Sequence, residues 1–270
     1  MERLGEMMDV AGTENGSETV EVICRLCDQP FECEQHYVSY GGEPRLVPAP
    51  TVCPECQKEA ESAQALQAKQ EWLDRTMARY RDGHLGSRLA GASFAAFQEG
   101  SHNTAALEAA QRWLAADPRP NLLIVAPVGR GKSYLAACIH NALLAALQPA
   151  YWLNASALVS RIRCGFTDSE AARTANRWME NAETAPVLVL DDLGKVHPGR
   201  DVSWVEDTFY GITEARYRDE LPTVVTTEWT ATALAERVGE SVVSRLEHGA
   251  WAVGMKRPPT PYRRTVEAPR

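Results

Sequence analysis

The stretch from Asn121 to Ser133, NLLIVAPVGRGKS, restricts what the whole chain can fold into. Leu122, Leu123, Ile124 and Val125 form an unbroken apolar run, the pattern of a strand buried on both faces. The turn that follows, Ala126-Pro127-Val128-Gly129-Arg130-Gly131, is not one that apolar packing calls for, and Lys132 and Ser133 then open a helix. In a phosphate-binding loop of this kind, backbone N–H groups around Gly129 and Gly131 face a polyphosphate and the helix N-terminus adds positive potential. Lys132 reaches the β/γ oxygens and Ser133 holds Mg²⁺. Pro127, Val128, Gly129, Arg130, Gly131, Lys132, Ser133 and Tyr134 are the expected nucleotide-contacting residues. The usual first glycine of the pattern is Ala126; if that position requires a positive φ, alanine costs about 1 kcal/mol there. The alternative, a chance surface turn, fits poorly with a buried strand before the loop and a helix after it.

A second apolar run, Val187 to Leu190, ends in Asp191 and Asp192. A carboxylate at such a strand end can hold a water on Mg²⁺, the task expected of Asp191. The next one can orient the water that attacks a γ-phosphate, the task expected of Asp192, which is one methylene shorter than glutamate. The competing interpretation is a pair of strand-end carboxylates in an ordinary turn.

Five of the seven cysteines, Cys24, Cys27, Cys33, Cys53 and Cys56, fall in the first sixty residues. Two C-x-x-C pairs, Cys24/Cys27 and Cys53/Cys56, have the separation by which two knuckles place four thiolates around a structural Zn²⁺. Free thiols or a redox pair are the alternative, and Cys33 and His36 offer competing ligands. The segment has few apolar residues, so without a metal it has little to fold around. Charge restricts its role further. Residues 1 to 60 carry the entire net charge of -8, and the remainder sums to zero. Acidic surroundings speak for a protein-docking module over a DNA-binding finger, and any nucleic-acid contact elsewhere needs a local basic face.

The N-terminus lacks a basic region followed by an apolar core, and no window of eighteen apolar residues exists, so the expectation is a cytoplasmic protein with no membrane partner. Residues 1–19 read as disordered, 20–60 as the zinc module and 61–90 as a linking helical region. The helix itself is expected from Gln57 to Asp82, with Ala63, Leu66, Gln70, Leu73, Met77 and Tyr80 at 4-3 spacing. Residues 91–254 alternate helices with strands at Ala150 to Asn154, Val187 to Leu190, Thr223 to Thr226 and, at an edge, Ala250 to Val253. That alternation predicts an α/β domain with a parallel sheet between helix layers and ligand at the carboxyl ends of its strands. Cys138 and His140 are expected in its core, and Thr230 as a helix cap. Residues 255–270 form a basic, Pro-rich tail.

LIVAPVGRGKSYLAA, VLVLDDLGK, SWVEDTFYGITEARYRDELPTVVTTEW and LAERVGESVVSRLEHGA together resemble the AAA+ ATPases of the DnaC/DnaI-type helicase-loader group and its transposition relative IstB, over about Phe94 to Arg264. The resemblance implies a P-loop AAA+ parallel sheet sandwiched by helices, joined here to a zinc-ribbon-like module by a linking helix. It places Thr226, Thr227 and Glu228 at the sensor 1 position, with Glu228 where asparagine is usual and Thr227 in the polar role. Arg245 becomes an arginine finger acting on a neighbouring subunit's site, with Ser241 where a second arginine is often found. An ordinary surface ion pair is the alternative for Arg245; Arg216 and Arg218 are candidates for a subunit interface or for helix-face salt bridges. Arg161 and Arg163 are candidate DNA contacts. The function implied is an ATP-dependent, Mg²⁺-using helicase loader. It would assemble as a homo-oligomer on single-stranded DNA and dock a replicative DNA helicase through the Zn²⁺ module. Weak turnover is expected from the departures at Ala126, Asp192, Glu228 and Ser241. A transposition ATPase and a nucleotide-gated adaptor without hydrolysis are the alternatives.

Overall fold

The computed structural model describes residues 17–40, 43–47, 49–80, 83, 85–195 and 203–256, in two compact units, Met1–Glu71 and Trp72–Arg270. In the first unit β1 (Ser17–Ile23), β2 (Pro30–Tyr40) and β3 (Glu43–Leu46) form an antiparallel sheet in the order β1-β2-β3. Residues 17–19, expected to be disordered, thus belong to a strand, and residues 1–16 lie outside the described ones. The alternation in β1, with Val20 and Val22 half-buried between exposed Thr19, Glu21 and Ile23, is the period-two pattern of a half-buried strand.

The helix α1 (Pro54–Tyr80) starts three residues earlier than expected, and the expected end, Asp82, lies outside the described residues. Every residue from 57 to 72 is exposed, including Leu66 at 69%, whereas Leu73 and Met77 are half-buried and Tyr80 is buried. The 4-3 seam is therefore used only over its last two turns. There Arg79 pairs with Glu180 and donates to Asn181, and Tyr80 joins the core of the second unit. The linking region is not one helix to residue 90: α2 (Ser87–Ala90) is a separate short element, held by Asn141 Nδ2, which donates to the carbonyls of Leu89, Ala90 and Ala92.

The second unit continues with α3 (Thr104–Ala115), β4 (Leu122–Val125), α4 (Lys132–Ala145), β5 (Ala150–Asn154), α5 (Ala155–Gly165), α6 (Ser169–Thr184), β6 (Val187–Leu193), α7 (Ser203–Arg218), β7 (Thr223–Thr227), α8 (Ala231–Val238), α9 (Glu240–Glu247) and β8 (Trp251–Gly254). The sheet is parallel throughout, in the order β5-β6-β7-β4-β8. Its apolar runs are continuous because both faces are covered. Leu188 and Leu190 face one core with α5, α6, α7, α8 and α9, while Val187 and Val189 face a second core with α3 and α4. Asn154, Asp168 and Thr230 cap α5, α6 and α8 with their side chains.

Two boundaries differ in ways that matter for the site. The strand β6 does not stop at Leu190 but continues to Leu193 through a register irregularity, with Asp192 at φ 58°. Met255 is buried and its N–H donates to Val125 O, while Lys256 N–H donates to His102 O, so the domain runs two residues into the expected tail. Residues 257–270, with Pro258, Pro259 and Pro261, lie outside the described residues. No described helix is long and apolar enough to cross a membrane.

Candidate nucleotide site and metal centre

The loop after β4 is built on two left-handed glycines, Gly129 at φ 76° and Gly131 at φ 89°. Ala126 is not at a positive φ; it is buried, and its N–H donates to Thr227 O at 3.1 Å. The strain expected from alanine at that position is therefore absent, and the loop's positive-φ demands fall where glycines stand. Gly131 caps α4 with no side-chain hydrogen bond, which leaves the helix's first N–H groups to an external anion. Lys132 opens that helix at 5% exposure, and its Nζ donates to Pro127 O at 3.2 Å. Burial pulls the Lys132 ammonium below its ordinary pKa, and the carboxylates of Asp192, Glu228 and Asp191 oppose that pull. Arg130 Nε is buried and makes no hydrogen bond among the described residues. Pro127 and Val128 form the exposed crown, and half-buried Tyr134 packs against Phe97 with ring centroids 6.1 Å apart.

Across β7, the end of β6 supplies the acids. Asp191 is buried; its Oδ1 accepts from Thr226 Oγ1 at 2.7 Å and its Oδ2 from Asn154 Nδ2 at 3.4 Å. Burial pushes the Asp191 carboxyl above the usual carboxylate range, while hydrogen bonds from Thr226, Ser133 and Asn154 pull it back down. Ser133, at the start of α4, thus lies beside Asp191, at the end of β6, the two residues expected to share Mg²⁺. Asp192 sits at a positive φ: its N–H donates to Thr226 Oγ1 at 2.9 Å, and its carboxylate, near enough to Lys132 to act on its charge, pairs with Lys195 at 2.8 Å. Thr227 is also engaged, donating from Oγ1 to Leu193 O at 2.8 Å and accepting from the N–H of Trp229. Sequence reasoning gave no site role to Asn154 or Lys195, and named Thr226 only within sensor 1. For Thr226 the signal was available, since residues of one parity on β7 share a sheet face with residues of one parity on β6.

In the first unit Cys24, Cys27, Cys53 and Cys56 place their sulfurs within 4.8 Å of one another. Cys33 and His36, on β2 opposite Val20 and Ser17, are outside that group. The first knuckle turns at Asp28, φ 56°, and is tied to the second by Arg25 N–H donating to Thr51 O at 2.9 Å. Backbone N–H groups of Leu26 and Cys53 point at Cys24 Sγ, and that of Cys56 at Cys53 Sγ. Chiefly through the Cys53 N–H, Cys24 is drawn down to about 6, whereas its sulfur neighbours hold Cys56 far above the usual thiol range. Four thiols so crowded repel one another once ionised; a tetrahedral Zn²⁺ removes that conflict, so the donor set fits the metal.

No protein-family model matches this chain, and no curated protein does. Solved structures do match. The structure of DnaI aligns at TM-score 0.56 and 23% identity, over 64% of this chain and 96% of its own. The DnaC helicase loader aligns at 0.54 and 21%, over 63% of this chain and 100% of its own. A DNA replication initiation factor aligns at 0.52 and 18%, over 62% of this chain but only 50% of its own. The second unit has the P-loop AAA+ fold.

Within this AAA+ unit the remaining candidates separate. Arg216 is a buried core residue, and among the described residues it makes no helix-face ion pair. It is 2% exposed and donates to Thr223 Oγ1 and to the carbonyls of Ala182, Ala185 and Pro222. It pins β7 and the end of α6 to α7. Arg218 is exposed and paired with Asp219. Arg245, on α9, pairs with Glu214, donates to Ser241 O at 2.9 Å and to Tyr210 Oη at 3.1 Å, and lies 4.5 Å from the centre of the Tyr210 ring. Arg161 and Arg163 are exposed near the end of α5, over Trp178 and Trp204, beside the exposed ring of Phe166. Cys138 and His140 are core residues, as expected; His140 meets Trp152 edge-on at 5.9 Å.

Proposed function

We propose that this chain is an ATP-switched loader of a replicative DNA helicase. The observation that carries this reading is the meeting of Lys132 and Ser133 with Asp191 at the carboxyl edge of a sheet whose fold is shared with the DnaC and DnaI structures. The Gly129–Lys132 backbone and the ammonium of Lys132 bind the β/γ-phosphates, and Ser133 and Asp191 would hold Mg²⁺, which when bound neutralises charge developing on the phosphates. Asp192 is the residue available to orient the attacking water, and Arg245 acts on a neighbouring subunit's nucleotide, so hydrolysis depends on a homo-oligomer. The aromatic-backed arginines Arg161 and Arg163, with Phe166, suit the phosphates and bases of single-stranded DNA. The Zn²⁺ module, acidic and metal-dependent, docks the helicase.

A slow cycle is expected because Asp192 is already paired with Lys195. The same pairing favours a second reading, a nucleotide-gated adaptor that binds ATP without hydrolysing it. Phosphate release should be measured from the chain alone, with single-stranded DNA, and with a replicative helicase, alongside a pull-down of that helicase in ATP and ADP. Turnover that rises with DNA or helicase, and is lost in Lys132→Ala, Asp192→Asn and Arg245→Ala, supports the loader. ATP binding with no phosphate release under any condition selects the adaptor, and no helicase capture in either nucleotide sinks the loader.

A further inference from the structure

Arg245 is held in a way that its proposed role does not require. Its Nε donates to the Glu214 carboxylate, Nη1 to Ser241 O at 2.9 Å and Nη2 to Tyr210 Oη at 3.1 Å, with its guanidinium 4.5 Å from the Tyr210 ring centre. Each of the three nitrogens already donates one bond inside the subunit, so an anion gripped in a fork must compete with bonds in place. Only 23% of the side chain is exposed, and Glu214, 39% exposed, cancels its charge at contact distance. The same arginine borders a cavity of about 440 Å³ at the amino ends of β4 and β7, whose rim also carries Arg119, Arg218 and His248, with Glu220 as the one acid among its lining residues. That rim favours an approaching anion, while the bonds to α7 hold the guanidinium back from it.

We propose that Glu214 and Tyr210 form a latch that keeps Arg245 closed against its own subunit until a neighbouring copy presents an anionic ligand able to compete for it. This rests on the reading of Arg245 as an arginine acting in trans. The latch sets a threshold: free subunits keep the arginine neutralised, and assembly must supply enough new contact to break three hydrogen bonds, one of them the ion pair with Glu214. Because the pair is partly exposed, the threshold is modest and depends on salt.

The test uses the full chain. Sedimentation velocity in a non-hydrolysable ATP analogue gives the protein concentration at half-assembly, and phosphate release is measured across the same concentrations, for wild type, Glu214→Gln, Tyr210→Phe and Arg245→Ala. The latch predicts that Glu214→Gln assembles at an about two- to fivefold lower concentration, with unchanged turnover per subunit once assembled and a shift that shrinks in high salt. Tyr210→Phe, which keeps the ring and loses only the Oη bond, shifts the same way by less, and carries the test if Glu214→Gln fails to fold by thermal melting. An unchanged or raised half-assembly concentration overturns the latch, as does a fall in assembled turnover, which would make Glu214 a positioning residue for the arginine. Arg245→Ala behaving as wild type in both measurements removes the trans-arginine reading itself, an outcome distinct from failure of the latch alone.

Discussion

Thr226 Oγ1 donates to Asp191 Oδ1 at 2.7 Å while accepting from the backbone N–H of Asp192 at 2.9 Å. One hydroxyl on β7 thus fixes both the acid expected to face Mg²⁺ and the backbone of the acid that follows it. Thr226→Val keeps the shape and removes both bonds, leaving a buried carboxylate oxygen and a backbone N–H without their partner. A loss of about 1–3 kcal/mol is expected, read as a fall of several degrees in Tm, together with weaker Mg²⁺-dependent ATP binding.

Lys132 is nearly buried beside its own loop, with its ammonium drawn down by that burial. Lys132→Ala removes a desolvated charge and is expected to leave stability in the absence of nucleotide within about 1 kcal/mol of wild type. ATP at a hundred times the wild-type Kd should raise wild-type stability by about 2.7 kcal/mol and do little for the variant. Thermal melts with and without Mg²⁺-ATP check both parts.

Metal analysis of the purified chain should find one Zn²⁺. A strong chelator should unfold the first unit, whose few apolar residues give it little else to fold around, and leave the melting of the AAA+ unit in place. Cys53→Ser should lose the metal; Cys33→Ser should retain it, because Cys33 stands apart from the four-sulfur group. Retained zinc in Cys53→Ser would remove this assignment.

Arg216 is the largest charged side chain in the core, and its four acceptors come from two segments, the end of α6 at Ala182 and Ala185 and the start of β7 at Pro222 and Thr223. Arg216→Met fills much of the volume but strands those acceptors, with an expected cost of about 3–5 kcal/mol. Chemical denaturation of the two chains measures it. A cost below about 1 kcal/mol would show that water enters and takes the arginine's place.

Burial holds His140 below its ordinary pKa, against the hydrogen bonds its ring donates to Asn141 Oδ1 and to the backbone of Ala150. In the unfolded chain the same imidazole titrates near ~6.5. Between the folded and unfolded values the unfolded state binds more protons, so stability falls as pH drops through about 6.5 and levels off below the folded value. His140→Gln should flatten that part of the profile relative to wild type while leaving the acid limb set by carboxylates.

What could be read in the sequence follows the range of the forces involved. The buried strands, the phosphate loop and the paired C-x-x-C knuckles are written in local runs and spacings, and they stand where the pattern put them. The small antiparallel sheet was overlooked because an acidic, Gly- and Ser-containing composition masked the alternation around Val20 and Val22. The fate of Arg216 was illegible: whether an arginine on a helix points into the core depends on carbonyls more than thirty residues away at Ala182 and Ala185. The turn of Asp192 is likewise set by the next strand, through Thr226.

Asn121, the residue just before β4, reaches in two directions. Its Oδ1 accepts from Thr223 N–H at 2.8 Å, and its Nδ2 donates to the carbonyls of Arg245 and Leu246 at 3.3 and 3.1 Å. One amide therefore ties the strand leading into the phosphate loop to the helix end that bears Arg245. On the proposed reading these are the places where a subunit holds its own nucleotide and reaches for its neighbour's. The spacing between them is gauged at a single side chain, so a ring of such subunits would inherit its pitch from a bond inside each member as much as from the surfaces between them.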